Sequence, residues 1–347
     1  MKRRLSVLSA LLILLLCGCT PSQTEPASAS DTFFAMDTVM SITAYGDTGA
    51  QSVQDARTEI QRLEKLLSRT DADSQVSQIN LHAGDGTWVS IDADLAGLLA
   101  RAQSITELLP GSFDITIAPV MDAWGFTKEE QHVPTQQALD AAMALVDSQL
   151  LCVDTDTSSA RLEASGMEID LGAIAKGFAA GQAQQAICAA GTESAMLDLG
   201  GNVTVIGSKP DGSAWRVAVK DPQDTSNYLC VLTLEDVTAS TSGGYERYFD
   251  ENGVRYHHII DPKTGYPADS GLLSVTVVSA DPVLADALST ALFIEGTDAA
   301  LDFWRSRDDF ELVLCQSDGT VLVTEGLEQG LQTREDAHGY TYEIARR

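Results

Sequence analysis

The hydrophobic period of this chain switches repeatedly between helix-like and strand-like spacing, with no internal repeat and no linker beyond its N-terminal segment. From Gln51 to Arg69, Val53, Ala56, Ile60, Leu63, Leu66 and Leu67 fall on one helical face. A second helix is expected from the N-cap Asp92 to Leu109, where Pro110-Gly111 stops it, and a third from Pro134-Thr135 to about Val146. Ala173 to Ala190 is rich in Ala and Gly and predicts a slender helix able to lie close against backbone or ligand. Asp281-Pro282 opens a last helix that runs to Glu295, with Gly296 just past its end. Strand patterns cover Val39 to Tyr45, Ala195 to Leu199, Trp215 to Lys220, Tyr228 to Leu234 and Leu272 to Ser279. Tyr245 to Phe249 and Val254 to Ile260 flank Asp250-Glu251-Asn252-Gly253, and Phe310 to Cys315 and Val321 to Thr324 flank Asp318-Gly319, so both pairs read as hairpins. One α+β domain dominated by antiparallel pairing accounts for this order.

The first residues stand outside that domain. Lys2, Arg3 and Arg4 precede an apolar run from Leu5 to Leu16, too short for the roughly 20 residues of a membrane-spanning helix. The run ends in Leu16-Cys17-Gly18-Cys19, which resembles a bacterial lipobox; the expectation is a signal peptide over 1–18, lipidation of Cys19, and a domain held outside the cytoplasm in the cell envelope. A tether over 19–31, rich in Pro, Ser and Ala, would lead to the domain at 32–347. With 44% hydrophobic residues the chain can bury a large core, and a formal charge of −28 argues against nucleic acid as a partner. Cys152, Cys188, Cys230 and Cys315 lack metal-ligand spacing and are expected to be structural thiols.

Four polar, Gly-rich clusters interrupt the elements. In Gly111-Ser112-Phe113-Asp114-Ile115-Thr116, an aspartate between apolar residues requires a partner. Glu168 to Gly177 leads into the slender helix and suits an anion, through free N–H groups, the helix dipole and Lys176, although Asp170 could equally be a cap and Lys176 a solvated side chain. Asp198-Leu199-Gly200-Gly201-Asn202 and Ser240-Thr241-Ser242-Gly243-Gly244-Tyr245 both read as strand-end turns. The fourth cluster joins His257 to Pro267 with the helix carrying Asp286 and Thr290, four residues apart on one face. That pair offers two hard oxygen ligands suited to Mg²⁺, or simply a polar helix face with its threonine bonded back to its own helix.

Taken together, these clusters resemble the ApbE family of FAD:protein FMN transferases. The matching segments, in family order, are F-F-A-M-D-T, F-D-I-T-I-A-P with W-G-F following, I-D-L-G-A-I-A-K-G, L-G-G-N, T-S-G-G-Y, H-I-I-D-P-K-T-G and A-D-A-L-S-T-A. The chain departs from the family in having Met36-Asp37-Thr38 where Met-Gly-Thr is common, and Arg69-Thr70 where an aromatic commonly stands.

The resemblance implies a T-fold-like antiparallel core packed by helices, and Mg²⁺-dependent transfer of FMN from FAD onto a Thr or Ser hydroxyl of an acceptor protein, a respiratory or electron-transfer flavoprotein subunit, with release of AMP. It further implies that Asp286, Thr290 and the carbonyl of Ala173 hold Mg²⁺. Met36, Ser112, Phe113, Asp114, Asp170, Lys176, His258 and Ile260 would hold FAD. His258 is the candidate base on the incoming hydroxyl, with a rate that falls as pH drops through the imidazole's titration, and His257 should point to the opposite strand face. A hydrolase splitting FAD into FMN and AMP, a flavin-storing lipoprotein and a solute-binding lipoprotein are the competing readings; the last should show two lobes of βα alternation, which this sequence lacks.

Overall fold

The computed structural model describes residues 27–127, 130–334 and 339–347. Cys19 and the signal segment therefore lie outside the described residues. Nine strands build the main sheet: β1 (Ser28–Ala35), β2 (Thr38–Tyr45), β3 (Ala195–Leu199), β4 (Asn202–Ile206), β5 (Thr238–Gly243), β6 (Leu272–Ser279), β7 (Phe310–Gln316), β8 (Thr320–Thr324) and β9 (Thr341–Ala345). They stand in the sheet in chain order. Neighbours are antiparallel throughout, except that β9 joins β8 in parallel. The α+β class and the antiparallel sheet thus follow the sequence pattern.

Helices α1 (Gly49–Leu67), α2 (Ala93–Leu108), α3 (Ala175–Ala189) and α4 (Pro282–Glu295) are the long ones. On one face of the sheet α1 packs on α3, α3 on α4, and α4 on β5 and β6, around a core that includes Met40, Ile60, Leu63, Leu99 and Phe293. The other face is covered by a three-stranded sheet of Trp215–Lys220, Tyr228–Leu234 and Leu331–Thr333. A third apolar cluster, Trp124, Phe126, Leu139 and Ile260, backs the hairpin Tyr248–Glu251/Val254–His257. Gly177 explains the slenderness of α3: a Cβ there would lie 2.3 Å from the Pro282 carbonyl and 2.6 Å from the Asp286 Cβ. Only a glycine lets the two helices meet that closely.

Three expectations change. The tether gives way earlier than Asp31, because Ser28–Asp31 already pair with Ile42–Tyr45. Ser240–Gly243 is strand rather than turn: it pairs with β6 throughout, and with β4 at Ser240, and α4 packs on it. The hairpin strands at Tyr245–Phe249 and Val254–Ile260 shorten to Tyr248–Glu251 and Val254–His257, so His258 lies just past a strand end. The four described cysteines are free, with Cys230 and Cys315 buried.

Candidate active site

The turns β1–β2 and β3–β4, the end of β5, the C-terminus of α1 and the N-terminus of α3 converge at one end of the sheet. They enclose a cavity of about 730 Å³, a size ordinary for a small-molecule site. Met36, Ser112, Phe113, Asp114, Asp170, Ala173, Lys176, His258, Ile260 and Thr290 all line it. Asp286 does not; it lies immediately behind the wall, 3% exposed.

The β1–β2 turn holds Met36 and Asp37 at φ 48° and 59°, the two left-handed positions of a tight hairpin. Asp37 stands where glycine would be easiest, and aspartate tolerates that region better than most residues. Glu64 on α1 pins the turn by accepting the Met36 N–H at 2.7 Å. In the Ser112–Asp114 segment the side chains serve their own backbone. The Ser112 hydroxyl donates to Leu109 O at 3.1 Å, while Asp114 accepts from the Thr116 N–H and hydroxyl at 2.8 and 2.6 Å and from the Ser148 N–H at 3.2 Å. These are the partners that the aspartate required. Asp170 accepts the Gly172 N–H at 2.7 Å, shaping the approach to α3.

α4 brings Thr290 to the cavity wall and Asp286 just behind it. The Asp286 carboxylate accepts the Gly177 N–H at 2.7 Å and faces the Lys176 ammonium at 3.6 Å. A buried carboxylate so held has both an amide and a cation in its field, which offsets its desolvation. Thr290 is not bonded back to its own helix; its hydroxyl lies 3.1 Å from Ser242 on β5. The Asp286 carboxylate, the Thr290 hydroxyl and the Ala173 carbonyl are hard oxygen donors, the class that Mg²⁺ takes and a soft metal does not; Ala173 and Thr290 line the cavity and Asp286 lies behind its wall. Among the described residues no three His, Cys, Asp or Glu side chains gather as a metal cluster.

The two adjacent histidines diverge. His257 turns inward, its Nε2 3.1 Å from Ala268 O and its ring edge-on to Phe293. His258 faces the cavity with Nδ1 3.2 Å from Arg247 O. A carbonyl only accepts, so Nδ1 carries the proton and Nε2 keeps its lone pair. Burial above all, reinforced by the charges of Arg247, His257 and Lys176, pushes the His258 pKa down to about 3 against the opposing bond to Arg247 O.

Several wall residues escaped the sequence reading. The half-buried Arg69 guanidinium ties Asp122, Glu168 and Asp170 at 2.8, 3.0 and 3.6 Å. Arg247 donates to the Asp37 carbonyl at 3.2 Å, and Glu64 and Glu246 complete the rim. The sequence singles out Arg69 only as a departure from the family pattern; an arginine directly after a helix end in a strongly acidic chain is the signal for its ion pairs.

Comparison with known proteins places the chain among relatives of similar sequence and fold. The FAD:protein FMN transferase of Klebsiella pneumoniae is 34% identical over 266 residues, covering 76% of this chain and 82% of the relative. That of Treponema pallidum is 32% identical over 290 residues, covering 80% of each. The crystal structure of the ApbE protein from Thermotoga maritima superposes with a TM-score of 0.81 at 33% identity, covering 89% of this chain and 100% of that one. Residues 36–314 match the ApbE family, spanning every wall of the cavity, and the chain belongs to that family.

Proposed function

We propose that this protein is a flavin transferase that moves the FMN moiety of FAD onto a Thr or Ser hydroxyl of an acceptor protein, releasing AMP, with Mg²⁺ held by Asp286, Thr290 and the Ala173 carbonyl. The observation that carries the reading is that Thr290, Ala173, the Lys176 cation and His258 line one cavity, with the Asp286 carboxylate immediately behind its wall beside Lys176. The relatives' name, FAD:protein FMN transferase, supports the movement of FMN from FAD onto a protein.

Transfer within a pyrophosphate asks for positioning and charge neutralisation. Bound Mg²⁺ would supply Lewis-acid stabilisation of the pyrophosphate oxygens. Lys176 and the N-terminus of α3 add positive potential beside it, and Met36, the Ser112–Asp114 backbone, Asp170 and Ile260 hold the remainder of FAD. His258 Nε2 takes the proton of the incoming hydroxyl. The hydroxyl oxygen forms a P–O bond to the FMN phosphorus while the P–O bond to the AMP half breaks, and AMP leaves. The acceptor is expected to be a respiratory or electron-transfer flavoprotein subunit, and the enzyme to be a lipoprotein anchored through Cys19 in the cell envelope.

The test incubates the protein with FAD, Mg²⁺ and candidate acceptor peptides and reads peptide mass. A gain equal to FMN through a phosphoester, dependent on Mg²⁺ and lost in Asp286→Ala while FAD still binds, is the expected result. Release of FMN and AMP with no change in any acceptor would replace transfer by hydrolysis; full activity of Asp286→Ala would remove that residue from the site.

A further inference from the structure

Ser242, Ser289, Thr290 and the main chain of Asp286 form a continuous run of hydroxyl contacts that leads inward from the cavity wall, which Ser242 and Thr290 line. Ser289 Oγ lies 2.8 Å from the Asp286 carbonyl, Ser242 Oγ lies 2.8 Å from Ser289 Oγ, and Thr290 Oγ1 lies 3.1 Å from Ser242 Oγ. The direction of the protons along this run is fixed from its far end. A carbonyl can only accept, so the Ser289 hydroxyl donates to Asp286 O. Two oxygens 2.8 Å apart need a proton between them, and Ser289 has already committed its own, so Ser242 donates to Ser289. Ser242 then has only lone pairs to offer Thr290, and Thr290 donates to Ser242.

We propose that Ser242 is a positioning residue that commits the Thr290 proton and so presets the Thr290 oxygen as a cation acceptor. A hydroxyl ligates a cation through a lone pair, and a proton turned toward the cation would oppose binding. With its proton held on Ser242, Thr290 presents lone pairs to the cavity it lines. The arrangement is built into the sheet and helix: Ser242 lies on β5, and α4 packs directly on that strand. Ser289 is 1% exposed, so water does not compete for its proton. The inference rests on the metal reading above and extends it to a residue outside the donor set.

The test uses the full chain with FAD bound and no acceptor, and reads Mn²⁺ affinity by electron paramagnetic resonance. Ser242→Ala should weaken Mn²⁺ binding about 10- to 100-fold, the usual effect of losing a group that orients a metal ligand, with FAD affinity and thermal midpoint near the parent's. Ser242→Thr, which keeps the hydroxyl, should restore affinity. Because Ser242 acts through Thr290, Ser242→Ala added to Thr290→Val should weaken binding no further than Thr290→Val alone. If Ser242→Ala does not fold, Ser289→Ala interrupts the same run from its other end and should also weaken binding. Parent-like Mn²⁺ affinity in Ser242→Ala (or, where that variant does not fold, in Ser289→Ala) beside a weakened Thr290→Val overturns the role of Ser242 and leaves the metal reading standing, as does a fully additive double variant. Unchanged affinity in both Thr290→Val and Asp286→Asn overturns the metal reading and this inference with it.

Discussion

His258 and His257 show how one residue's displacement along a chain separates a chemical group from a packing group. Alternation at a strand end sends them to opposite sides, His257 onto Ala268 O and Phe293, His258 onto Arg247 O beside the cavity. The expected acid limb changes in consequence. An imidazole held down at about 3 stays neutral at working pH, so the fall in rate anticipated near its ordinary value moves far below it. Transfer by the parent should therefore be flat from about pH 5 to pH 8 as far as this group is concerned, and an acid limb near pH 6.5 that His258→Asn removes would refute the assignment. The same variant should lower the transfer rate by about 10²- to 10⁴-fold with FAD affinity retained, measured by single turnover. The sign for stability follows from the same shift. Between about 6.5 and 3 the unfolded chain binds a proton that the folded ring refuses, so this contribution is intact above that window and is lost as pH falls through it.

At the scale of elements, the contact between α3 and α4 sets the site, because it brings the N–H of Gly177 onto the carboxylate of Asp286. Gly177→Ala would place a methyl 2.3 Å from the Pro282 carbonyl. The helices must part, at a cost of about 1–3 kcal/mol for overpacking, and the carboxylate should lose its amide. A lowered thermal midpoint together with a raised Mg²⁺ requirement is the expected outcome; a parent-like midpoint would show that the helices adjust freely. Most elements were legible beforehand: β3, β6 and the helix Pro282–Glu295 coincide with their sequence patterns, because their apolar periods and caps are strong. β1, β4, β5 and β9 were not; in β5, Ser240–Gly243 is composed of small residues that read as a turn and form a strand by pairing with β6.

At the scale of the whole molecule, the chain enters the sheet at Ser28, and β1 carries it to the cavity at Met36. The start of β1 and the cavity thus lie at opposite ends of one strand, about 26 Å apart at the usual rise per residue. If Cys19 is lipidated, Cys19→Ala should release the protein from the membrane fraction, with transfer to a soluble acceptor peptide unchanged; a variant processed and anchored like the parent would dismiss the anchor. Sequence alone determined the α+β class and the antiparallel bias, because periodicity, capping and turn chemistry are local properties. It also placed Asp286 and Thr290 on one helical face, a consequence of spacing. Only the tertiary structure decided that Thr290 bonds Ser242 rather than its own helix, that Asp286 stands behind the wall beside Lys176, that Arg69 gathers three carboxylates, and that burial keeps His258 neutral. Those outcomes depend on which strands become neighbours and how closely helices approach, and contacts between residues far apart in sequence leave no periodic trace in the chain.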